Sequence, residues 1–112
     1  MAAISPKMRN LLAPMAQACK NIIAVSAPIA DATEFENQDT IVDNIYMNLV
    51  IISENYAKTD DDVKQALTNW SEIKSYTEKV IPDCKNADCR VWFYISHSLI
   101  PTLKDKIDEL LS

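Results

Sequence analysis

The chain has 112 residues, a formal net charge of −5 and no glycine. This length supports one domain with a single core, and the lack of glycine disfavours folds rich in hairpins, whose tight turns need positive φ angles. The acidic balance without any lysine or arginine cluster disfavours nucleic acid as a stable ligand, because phosphate binding requires concentrated positive charge. We therefore expect a single all-α domain over residues 1–112.

The first predicted helix begins at Ser5-Pro6, where serine caps the helix and proline occupies its first position. Apolar residues at three- and four-residue spacing continue it to about Val25. Pro14 removes one backbone donor inside this helix and predicts a kink. Pro28 and the Ala-Asp-Ala-Thr segment of residues 30–33 mark the end.

The second predicted helix, which begins after Gln38-Asp39, has the clearest periodicity. Its main apolar stripe consists of Ile41, Ile45, Leu49, Ile52 and Tyr56. Four further apolar residues widen the surface beyond one face: Val42, Met47, Val50 and Ile51. Such a helix is central in a bundle or also lines a subunit interface, and this favours a homodimer.

The third predicted helix begins with Thr59 as its N-cap. Three aspartates, Asp60–Asp62, occupy the first turn, where the helix dipole favours negative charge. The apolar face continues past Trp70 until Pro82 ends the helix.

The last predicted helix follows Asp88 as its N-cap and kinks at Pro101. Its apolar stripe consists of Val91, Ile95, Leu99, Leu103, Ile107 and Leu110 or Leu111. Short connections between helices with one apolar face each predict an antiparallel bundle of four to five helices.

Composition also bears on compartment and on metal binding. No apolar run reaches the roughly 18–20 residues of a membrane span, and the N-terminal residues lack the apolar core of a signal peptide. Three cysteines, an odd number, suit reduced thiols in the cytoplasm. Cys84-x4-Cys89 has a spacing that two metal ligands can use, but His97 is the only histidine and no second close pair exists. We expect a cytoplasmic protein with no membrane segment, no metal and no cofactor.

A set of helical markers runs in order from residue 38 to residue 111. The markers are Gln38-Asp39, Asn48-Leu49-Val50-Ile51-Ile52-Ser53-Glu54, Trp70-Ser71-Glu72-Ile73, Val91-Trp92 and Ile100-Pro101-Thr102-Leu103-Lys104, followed by Ile107, Leu110 and Leu111. Their order and spacing resembles the HepT-like branch of the HEPN superfamily, small helical toxins of bacterial and archaeal toxin–antitoxin pairs. The resemblance implies a HEPN-type bundle and a homodimer whose interface forms an RNA-cleaving cleft.

In that family an Arg-x4-His ribonuclease motif follows the Trp-x-Glu-Ile element. In the matching register, its Arg, Asn and His positions are occupied by Thr77, Glu78 and Pro82. The tyrosine that many members offer for nucleotidylation by the antitoxin is Cys84 here. Arginine supplies a permanent cation for phosphate and histidine transfers the proton, and neither is replaced. The resemblance therefore implies a degenerate active site.

Three residues are candidates for any chemistry that remains. Arg90-x6-His97 fits the loosest form of the family motif, with both residues on nearly the same face of the last helix. Glu54, retained with Asn48 from the family's Asn-Leu-x-Ile-Ile-Gly-Glu run, is either a neighbour of the active site or a hydrogen-bonding group of the bundle.

These observations lead to one main hypothesis and two alternatives. The main hypothesis is a catalytically degenerate HepT-like protein, a dimeric binding or regulatory module that can pair with a nucleotidyltransferase-type antitoxin or another protein. The first alternative is an active ribonuclease toxin that uses Arg90 and His97. The second is a helical binding protein of a mobile element, unrelated to HEPN.

Overall fold

A computed structural model describes residues 4–35, 38–80 and 89–112, and within these ranges the chain is helical with no strand. The helices are α1 (Pro6–Ser26), α2 (Asp39–Tyr56), α3 (Asp61–Ala66), α4 (Trp70–Val80), α5 (Cys89–Tyr94) and α6 (Ile100–Leu111). A 3₁₀ turn covers Ala32–Phe35 and a π-helical turn covers Ile95–Leu99. The all-α prediction is confirmed, and the arrangement is compatible with a helical bundle.

Helix α1 follows the predicted bounds closely. The Ser5 hydroxyl accepts a hydrogen bond from the Met8 amide at 3.2 Å, as expected for an N-cap, and Pro6 is the first helical residue. The helix continues through Pro14 without interruption and ends at Ser26, one residue beyond the prediction. The hydroxyl of Ser26 donates to the carbonyl of Ile22 at 2.7 Å, which satisfies a polar group that is otherwise buried.

The predicted third helix is wrong in its cap. Asp60 is the N-cap, because its carboxylate accepts a hydrogen bond from the Val63 amide at 3.0 Å. The Thr59 hydroxyl instead donates to the carbonyl of Tyr56 at 2.7 Å, at the end of α2. Threonine and aspartate both cap helices, and the turn that ends α2 decides between them.

The same prediction is also wrong in treating residues 60–81 as one helix. The chain leaves the helix at Leu67, turns through residues 67–69 and begins α4 at Trp70. Thr68 and Asn69 are poor interior helix residues, because their side chains form alternative bonds. The Asn69 side-chain amide donates to the Leu99 carbonyl at 3.3 Å, so a distant contact stabilises the break.

The last predicted helix is divided by the π turn just before Pro101. Proline has no amide hydrogen, and its ring clashes with the carbonyl four residues earlier, so a regular α-helix is disfavoured at this point. The turn widens here, and the Ile100 amide donates to the carbonyl of Ile95, five residues back. The predicted irregularity is confirmed, but it takes the form of a wider turn. The predicted cap Asp88 lies outside the described residues.

The core lies where α1 packs against α2 and α6. The predicted stripe of α2 is confirmed in its central part, since Ile45, Leu49 and Ile52 are buried. Its other side reaches solvent, with Met47 and Ile51 exposed by 65% and 40%. Among the helices that the structure describes, none combines the length and apolarity required to cross a membrane.

Candidate functional site

A cleft of about 190 Å³ lies between α2 and α4. Leu49 and Trp70 form its buried floor, and half-buried Val50 forms part of its wall. The complete lining is Leu49, Val50, Ser53 and Glu54 from α2, and Trp70, Lys74 and Thr77 from α4. An apolar floor beneath a polar rim is the usual form of a small binding pocket.

The cleft unites positions that the family resemblance assigns to the catalytic region. Glu54 is the retained carboxylate, Ser53 stands at the family's glycine, and Thr77 stands at its arginine. These residues come from two helices, α2 and α4, which face each other across the cleft. The structure thus places Ser53, Glu54 and Thr77 at one cleft.

Thr77 offers little chemistry in this cleft. Its side chain is only 8% exposed, and its hydroxyl donates to the Ile73 carbonyl at 2.8 Å, one turn earlier in α4. A hydroxyl held by its own helix is a packing group and carries no charge to bind phosphate. Pro82 and Cys84 lie outside the described residues, as does the side chain of Glu78.

The charged groups at the cleft mouth are Glu54 and Lys74. Both side chains are exposed, and neither has a hydrogen bond or an ion pair with another residue in the described ranges. Lys74 is the one cation in the lining, and the nearby carboxylate opposes its attraction for an RNA backbone. No imidazole or guanidinium belongs to the described lining. This arrangement suits the binding of an apolar group better than phosphoryl transfer.

His97 and Arg90 do not line the cleft. His97 lies in the π turn, where its ring stacks on Phe93 with centroids 4.2 Å apart and an interplanar angle of 22°. Its Nε2 atom is buried and has no hydrogen-bond partner within the described part of the chain. Arg90 is exposed in the first turn of α5. The structure thus does not bring these two residues to Glu54.

The sequence offered Cys84 and Cys89 as two possible metal ligands. The described residues contain no group of three or more His, Cys, Asp or Glu side chains with the geometry of a metal site. Cys84 lies outside the described residues, and so does the side chain of Cys89.

A contact between two tyrosine rings joins α4 and α5. The rings of Tyr76 and Tyr94 meet edge to face at 5.6 Å, and the Tyr94 hydroxyl donates to the Glu72 carboxylate at 3.3 Å. The nearby negative charge of Glu72 raises the pKa of Tyr94 above its usual value. This contact connects α4 to α5.

Sequence reasoning missed a chain of side-chain amides between α1 and α2. The Asn48 amide donates to the Asn44 carbonyl at 2.8 Å, and the Asn48 oxygen accepts from Asn21 at 3.2 Å. Asn21 in turn accepts from Gln17 at 2.9 Å. The sequence pattern that could have revealed this chain is a pair of polar residues four positions apart on each apolar helix: Gln17 and Asn21 on α1, and Asn44 and Asn48 on α2. Asn48, retained from the family run, therefore has a structural role.

Replacing Asn48 by alanine should lower the free energy of unfolding by about 1–3 kcal/mol, because Asn48 is only 7% exposed and its partners lose their bonds. Urea denaturation measures the loss. The matched control is Asn55→Ala, which removes an exposed bond to the Ile51 carbonyl and should change stability by no more than about 0.5 kcal/mol. Equal losses in the two variants would contradict a role for the amide chain.

Comparisons of the chain with protein-family models, with curated proteins and with solved structures gave no match.

Proposed function

We propose that the chain is a catalytically degenerate HepT-like protein of the HEPN type that acts as a dimeric binding or regulatory module. The observation that carries the proposal is the convergence of Ser53, Glu54, Trp70 and Thr77 on one cleft. Ser53 and Glu54 are neighbours on α2, and Trp70 and Thr77 share one face of α4, so the supporting observation is that these two helix faces line the same cleft. The cleft keeps the family's carboxylate and lacks its arginine.

Electrostatics supports a protein ligand over RNA. The net charge of −5 opposes a polyanion, and the described cleft presents only Lys74 against Glu54. Its floor of Leu49 and Trp70 is suited to an apolar side chain from a protein partner. We place this partner in the cytoplasm. A nucleotidyltransferase-type antitoxin is the class that the resemblance implies, and a neighbouring gene for one would add support.

The alternative of an active ribonuclease has one observation in its favour. The buried, unpartnered Nε2 of His97 lies in a π turn, and such turns often occur at functional sites. A ribonuclease of this kind would use Arg90 to bind phosphate and His97 to transfer a proton. It would operate away from the cleft that contains Glu54.

The test is an RNA-cleavage assay with purified protein, accompanied by growth measurements after induced expression. We expect no cleavage above that of a mock purification and no growth arrest, because the described lining of the cleft contains no arginine and no histidine. The variants Arg90→Ala and His97→Ala, purified in the same way, are the matched controls. Cleavage by the wild-type protein that disappears in either variant would reject the proposal in favour of the ribonuclease.

A further inference from the structure

We infer that a second copy of this chain packs against α2 in the antiparallel direction and inserts its Met47 side chain into the α2–α4 cleft. This inference rests on the dimer of the proposed function and specifies its interface. It follows from three properties of α2 and its surroundings: an exposed apolar side chain, a neighbouring cavity, and an acidic and a basic residue near the two ends of the helix.

Met47 is the projecting group. Its side chain is 65% exposed, the largest value among the exposed large hydrophobic residues of the described chain, and Ile51 lies one turn away at 40%. Half-buried Val50 completes a continuous apolar patch on the solvent side of α2. Methionine is flexible and polarizable, so it fits irregular cavities and packs favourably against aromatic rings.

The receiving cavity lies beside this patch on the same helix. Val50 belongs to both, and the floor of the cleft offers Trp70 for contact with the methionine sulfur. A projection and a cavity on one surface are self-complementary under a two-fold axis, so each copy fills the other's cleft. Because both clefts are then filled, the assembly contains two subunits and offers no site for a third.

Charge selects the antiparallel direction. A two-fold axis between Val50 and Ile51 places Met47 opposite Glu54, at the mouth of the partner's cleft, and Asp43 opposite Lys58. Asp43 and Lys58 are exposed, and neither forms an ion pair with another described residue. The axis therefore creates two identical Asp43–Lys58 pairs, since Asp43 lies in the second turn of α2 and Lys58 in the turn that follows its last residue, Tyr56. Exposed pairs of this kind fix orientation more than affinity.

The first measurement is the dissociation constant of the dimer by sedimentation equilibrium. Met47→Glu should weaken the dimer at least about tenfold, because it removes a buried anchor and adds charge to the interface. Met47→Leu should stay within about threefold of wild type, since the volume is nearly conserved. Tyr94→Ala, a change at another exposed hydrophobic residue, is the control and should leave the constant unchanged.

The second measurement is a charge exchange. Asp43→Lys should weaken the dimer, and the double variant Asp43→Lys/Lys58→Asp should restore it. A wild-type dimer that Met47→Glu leaves intact would overturn this interface while the dimer of the proposed function stands. A wild-type protein that remains monomeric at all concentrations would overturn the dimer as well. The RNA assay tests catalytic degeneracy separately from both outcomes.

Discussion

Replacing Ile52 by alanine is expected to lower the free energy of unfolding by about 2–5 kcal/mol. Ile52 is fully buried on the inner side of α2, so the change removes apolar contacts and leaves a cavity in the core. A loss of this size is a large part of the stability of a typical domain. Urea or thermal denaturation at fixed protein concentration measures it.

Ile51→Ala is the matched control, since it changes the same residue type on the same helix at the neighbouring position. Ile51 is 40% exposed, so the stability of the monomer should change by no more than about 0.5 kcal/mol. Protein diluted into the monomeric range separates this effect from any effect on assembly. Equal losses at positions 51 and 52 would show that the orientation of α2 is wrong.

Cys19 is expected to react with a disulfide reagent at pH 8 at least about tenfold more slowly than an unshifted thiol does, because fewer thiolates outweigh the higher nucleophilicity of each one. Burial raises the pKa of Cys19 from 9.0 to about 12, with Lys104 acting to lower it and Asp108 to raise it. The fraction present as thiolate falls accordingly. Steric protection in the core, where Cys19 is fully buried, slows the reaction further.

The reactivity is measured on the double variant Cys84→Ser/Cys89→Ser, in which Cys19 is the only thiol. The same variant in denaturant provides the unprotected rate. Equal rates in the native and denatured protein would show that Cys19 does not lie in the core between α1 and α6.

The same shift makes stability depend on pH. Because the folded-state pKa of Cys19 exceeds the unfolded value, its contribution is complete below pH 9.0 and is lost as the pH rises toward about 12. The slope within this window is at most about 1.4 kcal/mol per pH unit. Lysine and tyrosine titrate there too, so the measured quantity is the difference in slope between wild type and Cys19→Ala.

Much of the fold follows from local sequence. The start of α1 depends on the residue pair Ser5-Pro6, and its bounds match the prediction to within one residue. The buried stripe of α2 follows from a 3.6-residue periodicity over a long segment. The absence of an arginine at position 77 is likewise a property of residue identity, which does not depend on any tertiary contact.

Long-range contacts decided the rest. Local propensity allowed a helix through residues 67–69, but Asn69 reaches the Leu99 carbonyl and the helix divides there. Pro101 predicted an irregularity, but only the structure shows that it is a π turn over Ile95–Leu99. Periodicity describes one helix at a time, so it could not specify which helices meet.

The candidate site likewise has features that the sequence predicts and features that only the structure shows. The sequence by itself supplied the proposed HEPN register, in which Thr77 and Pro82 stand where that family has an arginine and a histidine. Only the tertiary structure decided that Glu54 and Thr77 share a cleft, that Met47 projects beside it, and that His97 stacks on Phe93 outside it. The physical reason is that the sequence register depends on residue order along the chain, whereas the cleft depends on where α4 lies relative to α2 in space.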